Sequence, residues 1–124
     1  MEKSVFNFER LTVYQRALAF ALNIYSRTQK WPREHLFGLT DQLRRASLSI
    51  PLNIAEGYSR SRKDFQHFLT LSRGSCFECV PIIKLAESLT LLTSKEADMF
   101  YNELEEIAKM LSGLRSSLLK QPKL

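Results

Sequence analysis

The sequence is poor in the residues that interrupt helices, with only four glycines and four prolines among 124 residues. So few breakers favour a small number of long elements joined by short loops. No apolar run approaches the ~18 residues that cross a membrane. The first ten residues, MEKSVFNFER, also lack the apolar segment of a signal peptide. The sequence therefore predicts one cytoplasmic domain over residues 1–124, with no membrane partner.

Cysteine and histidine are scarce, with two residues of each. Cys76 and Cys79 form a lone CxxC, without the second Cys pair or the spaced histidines that a zinc site needs. Because this pair falls inside a long helical pattern, we interpret both as small core residues. His35 and His67 do not follow Glu at the spacing of di-metal bundles. There is no P-loop, GxGxxG or GxSxG motif, so no metal, cofactor or catalytic residue is predicted.

Acidic residues are outnumbered, since 18 Lys and Arg face 13 Asp and Glu. The net charge of +5 and the pI near 9.4 favour an anionic partner such as nucleic acid. The charge balance is also compatible with a protein partner. It therefore indicates a class of ligand and not a particular molecule.

Four segments carry apolar residues at helical spacing, and no strand pattern competes with them. Their approximate bounds are 8–29, 39–58, 62–92 and 94–120. Ser61 with Asp64 resembles a capping box at the start of the third segment, and Thr93 with Glu96 forms one before the fourth. Pro51 and Pro81 are expected to kink their helices. Four long helices with short loops predict an all-α, up-down-up-down bundle.

The helical spacing predicts one core face for each segment. In the first segment this face comprises Leu11, Tyr14, Leu18, Leu22 and Tyr25. In the second it comprises Leu43, Ala46, Ile50 and Ile54. In the third it comprises Phe65, Leu69, Ser72, Cys76, Cys79, Ile83 and Ala86. In the fourth it comprises Phe100, Leu104, Ile107, Leu111, Leu114 and Leu118.

Three segments also carry a second apolar stripe on another side of the helix. Its members are Val13, Ala17, Phe20 and Ile24, then Leu48, Leu52 and Ala55, then Leu71, Ile82, Leu85 and Leu89. A helix in a lone four-helix bundle needs only one buried face. The extra stripes therefore predict that the chain buries more surface by forming a homo-oligomer.

A polar ridge runs between the two stripes of the second helix. It comprises Arg45, Ser49, Asn53, Glu56 and Arg60. A ridge between two apolar surfaces becomes partly buried on assembly, and buried charges persist only when they are paired. We therefore expect Glu56 to face an arginine and Asn53 to hydrogen-bond to nearby groups.

Two stretches, FGLTDQLRRASLSIPLNIAEG (37–57) and FLTLSRGSCFE (68–78), resemble the four-helix-bundle proteins of the 23S rRNA intervening-sequence family. The resemblance implies a left-handed bundle that assembles into a homopentameric ring. It also implies kinship with the accessory bundle proteins of diversity-generating retroelements, which associate with a reverse transcriptase and with nucleic acid. The motif residues predicted to form a structural polar network or oligomer interface are Arg44, Arg45, Asn53, Glu56, Gly57, Gly74, Ser75 and Glu78. The run CVPIIKLAE (79–87) departs from the polar helical run, containing Gln and Leu, that the family usually has after G-S-x-x-E, and Pro81 is expected to bend the third helix there.

The leading functional hypothesis is a non-enzymatic scaffold that binds nucleic acid through basic clusters at two ends of the bundle. The candidate contacts are Arg27, Lys30 and Arg33 at one end, and Arg60, Arg62 and Lys63 at the other. One alternative is a metal-independent ribonuclease, because RKDFQH from Arg62 to His67 fits the R-x4-H pattern of HEPN ribonucleases. Another is a protein-interaction module that docks a partner such as a polymerase.

Overall fold

The computed structural model describes residues 6–120, which form four long helices and no strand. Helix α1 spans Thr12–Thr28, α2 Asp41–Tyr58, α3 Arg62–Ser88 and α4 Ser94–Lys120. Short 3-10 turns occupy Asn7–Arg10 and Arg33–His35, and a π-helical turn at Leu36–Thr40 leads directly into α2. No helix among these residues has the length and apolar character that spanning a membrane requires.

The helices alternate in direction around a shared core. Arg16 near the start of α1 pairs with Glu103 in α4, whereas Arg27 near the end of α1 pairs with Glu96 at the start of α4. These two pairs make α1 and α4 antiparallel. Short connections place each remaining helix against its predecessor. The described residues therefore form the predicted up-down-up-down four-helix bundle.

The predicted core faces of α2, α3 and α4 are confirmed. Their central members are each at most 2% exposed, and they include Leu43, Ile50, Ile54, Leu69, Cys76, Cys79, Ile83, Leu104, Ile107 and Leu111. Burying one aliphatic side chain of this size contributes about 1.5–3 kcal/mol. The packing of these faces is therefore the main source of stability that positions the surfaces described below.

The core face predicted for α1 is wrong. The stripe containing Phe20 and Ile24 faces the core, where both are at most 1% exposed, whereas Leu18 and Leu22 are 45% and 69% exposed. The Phe20 ring meets Phe100 of α4 edge-on, with 5.8 Å between the centroids. Both stripes of α1 are apolar, so periodicity alone could not rank them. The contacts with α4 decide the rotation of the helix.

Two predicted helices are too long at their ends. Helix α1 begins at Thr12 because the preceding residues form a 3-10 turn. Helix α3 ends at Ser88, where Thr90 adopts a left-handed φ of 62°. The N–H of Leu91 then donates to the carbonyl oxygen of Ala86 at 2.9 Å, which is the closing bond of a Schellman motif. The apolar residues that follow this turn belong to the connection, not to the helix.

The capping signals at the starts of α3 and α4 are correct. Ser61 Oγ accepts a hydrogen bond from the N–H of Asp64 at 3.2 Å. At α4, Thr93 Oγ1 accepts from the N–H of Glu96 at 3.1 Å, and Glu96 accepts from the N–H of Thr93 at 2.9 Å. Thr93 and Glu96 thus form a reciprocal capping box that satisfies two backbone donors.

Candidate assembly and nucleic-acid surfaces

The polar ridge of α2 is linked to α3 by a chain of hydrogen bonds. Asn53 Nδ2 donates to the backbone oxygen of Ser49 at 2.8 Å and to Ser49 Oγ at 2.9 Å. The hydroxyl of Ser75 in α3 donates to the same Ser49 Oγ at 2.9 Å. This confirms the expectation that Asn53 is satisfied by its neighbours. It also assigns Ser75 to the contact between α2 and α3.

The charged members of the ridge pair within α2. Arg60 Nη2 lies 2.6 Å from Glu56 Oε2, so Glu56 faces an arginine as predicted, and Arg45 Nε lies 3.0 Å from Asp41 Oδ2. All four side chains are about half exposed or more in the single chain. Glu78 on α3 is also exposed and has no ion pair among residues 6–120. These charged side chains are therefore accessible to solvent in the single chain.

The two glycines of the motif occupy different environments. A Cβ atom on Gly57 would lie 2.5 Å from Phe68 Cβ, so this buried position needs glycine for the close approach of α2 and α3. A Cβ atom on Gly74 would meet nothing within 4 Å. A mid-helix glycine costs roughly 0.5–1 kcal/mol relative to alanine. Packing within one chain therefore explains Gly57 and leaves Gly74 without an intramolecular reason.

Exposed apolar side chains occur on α1 and α2, and others occur on α3. The α1–α2 surface comprises Leu18, Leu22, Tyr25 and Leu52. Tyr25 lies beneath the guanidinium of Arg44, which places this α1 stripe along its border with α2. The α3 surface comprises Leu71, Leu85 and Leu89, which are 43%, 50% and 46% exposed. Ile82 was predicted to join them, but it is only 7% exposed because it packs into the core.

The predicted basic cluster at the α1–α2 turn is only partly available to a ligand. Arg27 donates both Nε and Nη2 to Glu96, so its guanidinium is committed to the fold. Lys30 and Arg33 are exposed and have no ion pair among the described residues. Arg44, predicted as part of the polar network, instead points toward α1 and donates from Nε to Thr28 Oγ1 at 2.8 Å. The adjacent Arg44 and Arg45 of the motif thus have different partners. Arg44 contacts α1, and Arg45 pairs with Asp41 in α2.

The second basic cluster lies about 27 Å away, at the far end of the 18-residue helix α2. Arg60 is paired with Glu56, and its guanidinium carbon lies 5.1 Å from the centroid of Phe68. Arg62 is the first residue of α3 and is half-buried, and Lys63 is exposed. His67 is also exposed on α3. The five-residue spacing separates Arg62 and His67 by about 140° around the helix, so one chain does not bring them together.

A groove between α3 and α4 contains functional candidates that sequence reasoning missed. Its volume is about 880 Å³, and its lining includes Arg73, Phe77, Lys84, Tyr101 and Lys109. The guanidinium carbon of Arg73 lies 4.6 Å from the Phe77 centroid, and Lys84 Nζ lies 6.0 Å from that of Tyr101. Phe77 remains 55% exposed. The helical spacing of Arg73, Phe77 and Lys84 places them on one side of α3 and could have been recognised in the sequence. That α4 forms the other wall of the groove could be seen only in the tertiary structure.

The CxxC residues form no exposed thiol site. Cys76 and Cys79 are free thiols that are each at most 1% exposed. Burial raises the pKa of the Cys76 thiol to about 12, and it also raises the pKa of Cys79. These positions confirm the interpretation of both cysteines as core residues. No group of three or more His, Cys, Asp or Glu side chains in the described part of the chain is arranged to hold a metal ion.

The family model described as 23S rRNA-intervening sequence protein matches residues 9–113 of the chain. The chain belongs to this family. Its fold also matches a 1.70 Å crystal structure from Bacteroides thetaiotaomicron, that of a protein with unknown function from the S23 ribosomal protein family. The two share 25% sequence identity and a TM-score of 0.75, over 84% of this chain and 98% of the other. No curated protein matches the chain significantly.

Within this member of the intervening-sequence protein family, the two motif stretches pack against each other. Ser49 and Asn53 from the first stretch meet Ser75 from the second, and Gly57 admits the Phe68 side chain. The motifs therefore account for the contact between α2 and α3. Kinship with retroelement accessory proteins and the ribonuclease interpretation of Arg62 and His67 stay predictions.

Proposed function

We propose that the chain forms a ring-shaped homo-oligomer, pentameric and built from left-handed bundles, that acts as a non-enzymatic scaffold for nucleic acid. The proposal rests on the separate locations of two kinds of exposed side chain, the apolar ones and the cations without ion pairs. Apolar side chains are exposed on α1 and α2, and another set is exposed on α3. Cations that have no ion pair among residues 6–120 lie at the α1–α2 turn and along the α3–α4 groove.

The two apolar surfaces support a ring in preference to a simple dimer. The α1–α2 surface and the α3 surface differ in their residues, so contact between one and the other is head-to-tail. A head-to-tail contact generates a closed ring when the rotation between subunits closes. Gly74 lies on α3 between Leu71 and Leu85 in sequence and has open space where a Cβ would be. A neighbouring subunit in that space offsets the cost of a mid-helix glycine.

Light scattering on the purified protein tests the assembly. We expect a mass several times that of one chain for the wild type and a smaller mass for Gly74→Leu. Gly113→Leu is the matched control, because Gly113 is also a helical glycine with nothing within 4 Å of its Cβ position, but it lies on α4. The control should keep the wild-type mass. A wild-type protein that remains a single chain at micromolar concentration would refute the ring.

The arrangement of cations and rings supports nucleic acid as the ligand. In the α3–α4 groove, Arg73 and Lys84 each lie over an aromatic ring, and neither has a carboxylate within 4.0 Å among the described residues. Proteins bind single strands by combining backbone-tracking cations with aromatic surfaces on which bases stack. Phe77 is sufficiently exposed to stack on a base. The groove also lies outside both proposed assembly surfaces, so a ring leaves it accessible.

Fluorescence anisotropy with a labelled single-stranded oligoribonucleotide tests this part of the proposal. We expect affinity to fall steeply with salt, with a slope of about 0.7 for each phosphate neutralised. The double variant Arg73→Gln/Lys84→Gln should weaken binding and reduce this slope, and Lys30→Gln/Arg33→Gln tests the α1–α2 turn in the same way. Lys95→Gln/Arg115→Gln removes the same charge from exposed positions elsewhere on α4. Absence of binding at low salt, or equal losses in all three double variants, would refute a defined nucleic-acid surface.

A further inference from the structure

Pro81 removes a hydrogen bond from the α3 wall of the groove between α3 and α4. It lies inside α3 and lines the groove together with Phe77, four residues before it. In an α-helix the N–H of each residue bonds to the carbonyl oxygen four residues earlier, and proline has no N–H. The carbonyl oxygen of Phe77 therefore lacks its intrahelical donor. Both residues are exposed, which places this part of the backbone on the groove side of the helix and not against the core.

Two cations lie on either side of Phe77 along the same face of α3. Arg73 precedes Phe77 by one helical turn, and its guanidinium carbon lies 4.6 Å from the ring centroid. Lys84 follows two turns later and also lines the groove, so about 16 Å of helix axis separates the two cations. The Phe77 side chain is 55% exposed. A strand that follows the groove thus meets a cation, an exposed aromatic ring and a second cation in succession.

The charged lining of the groove favours an anion that carries exposed bases. Lys109 joins Arg73 and Lys84 in the lining, Glu105 is the acidic residue there, and none of the four has an ion pair within the described part of the chain. Cations beside an exposed ring are the arrangement by which proteins hold single-stranded nucleic acid. A base stacks on a side chain only after it leaves its neighbours in the strand, so a duplex does not use the Phe77 ring. The occupant that fits the groove is therefore an unpaired strand.

We propose that the groove selects unpaired strands whose bases carry an exocyclic amino group, with one base stacked on Phe77 and its amino group donating a hydrogen bond to the Phe77 carbonyl oxygen. This inference rests on the proposed binding of nucleic acid in the groove and adds which strands bind best. Cytosine has a donating amino group where uracil has an acceptor oxygen, and the two bases have the same ring. Uracil would place one acceptor oxygen against another. The site therefore distinguishes cytosine from uracil.

Fluorescence anisotropy with labelled oligocytidylate and oligouridylate of equal length tests the preference in the full-length protein. We expect the wild type to bind oligocytidylate about two- to tenfold more tightly, which is the ratio expected for one net hydrogen bond. An oligonucleotide of pyrimidin-2-one riboside, which is cytidine without its amino group, should bind as weakly as oligouridylate. This third probe tests the same donor without any change to the protein.

Pro81→Ala tests the acceptor. The alanine N–H donates to the Phe77 carbonyl oxygen within the helix, so we expect the affinities for oligocytidylate and oligouridylate to become equal. The melting temperature should stay the same or rise, because alanine suits a helix interior better than proline does. Val80→Ala is the matched control, since Val80 is 40% exposed on the same wall and its replacement leaves the backbone donors unchanged. The control should keep the wild-type preference.

Phe77→Leu tests the stacking of the base. Loss of the ring should weaken the binding of oligocytidylate by about fivefold or more, whereas Phe77→Tyr should retain most of the affinity because tyrosine keeps a stacking surface. An RNA duplex of the same length should compete more weakly than the single strand, because its bases are already stacked and paired.

The failure of this inference is distinguishable from the failure of the proposed function. Equal affinity of the wild type for oligocytidylate and oligouridylate, a preference that persists in Pro81→Ala, or unchanged affinity in Phe77→Leu would overturn the base preference and leave the nucleic-acid scaffold standing. Equal competition by the duplex would do the same. Absence of binding by every oligonucleotide at low salt would overturn both.

Discussion

Glu96 connects the start of α4 to the end of α1 through Arg27. Its carboxylate accepts hydrogen bonds from Nε and Nη2 of Arg27, the latter at 2.8 Å, and also from the N–H of Thr93. The Arg27 hydrogen bonds, followed by the Thr93 N–H, lower the pKa of Glu96 to about 2 from its ordinary 4.5. The same pairing raises the pKa of Arg27. Arg27, predicted from sequence as a phosphate contact, thus has a structural partner.

We predict that Glu96→Gln lowers the free energy of unfolding at neutral pH by about 1–2 kcal/mol, because it removes a charge-assisted pair and weakens a helix cap. The folded-state pKa of Glu96 lies below its ordinary value. Its stabilising contribution is therefore present above pH 4.5 and is lost as the pH falls toward 2. Urea unfolding across this range measures the effect.

The variant should show a weaker loss of stability between pH 4.5 and 2 than the wild type does. Glu105→Gln serves as the control, because Glu105 is exposed on α4 and has no ion pair among residues 6–120. Parallel pH profiles for wild type and Glu96→Gln would contradict the assignment of this acid sensitivity to Glu96.

Thr90→Gly is predicted to stabilise the protein. Thr90 has a φ of 62°, a left-handed conformation that costs a β-branched residue about 1–2 kcal/mol and costs glycine little. We expect the melting temperature to rise, as measured by circular dichroism. Ser88→Gly, inside the last turn of α3, should instead lower it. A decrease for Thr90→Gly would mean that its hydroxyl contact with the Leu89 oxygen outweighs the backbone strain.

Gly57→Ala is predicted to destabilise the bundle by about 1–3 kcal/mol, the usual range for overpacking. The added methyl group would lie 2.5 Å from Phe68 Cβ, which cannot move without shifting the α3 backbone. Gly113→Ala has open space and should stabilise α4 by up to ~1 kcal/mol. Chemical denaturation of both variants gives the comparison. Similar changes in both would show that α2 and α3 can separate at Gly57 at little cost.

The cysteines should be unreactive in the folded protein. The thiolate is the nucleophile, and burial raises the pKa of Cys76 to about 12, far above the pH of a labelling reaction. We expect a thiol reagent at pH 8 to modify both cysteines rapidly in denaturant and slowly without it. Mass spectrometry counts the labels. Rapid labelling of either cysteine under native conditions would place the CxxC on an accessible surface.

Local patterns predicted the parts of the fold that depend on neighbouring residues. The cap at Thr93 and Glu96 was readable because its two hydrogen bonds join residues three apart. The core faces of α2, α3 and α4 were readable because each helix has one dominant apolar stripe or a second stripe interrupted by polar residues. The end of α3 was missed because Leu91 and Leu92 continue the apolar pattern past the turn at Thr90.

By itself, the sequence determined four amphipathic helices, the cap of α4 and the burial of the CxxC, because helical periodicity and capping act over three or four residues. Only the tertiary structure decided which apolar face of α1 enters the core, since that choice depends on Phe100 and Glu103, which lie 80 or more residues further along the chain than their partners. It also decided which cations are paired with carboxylates.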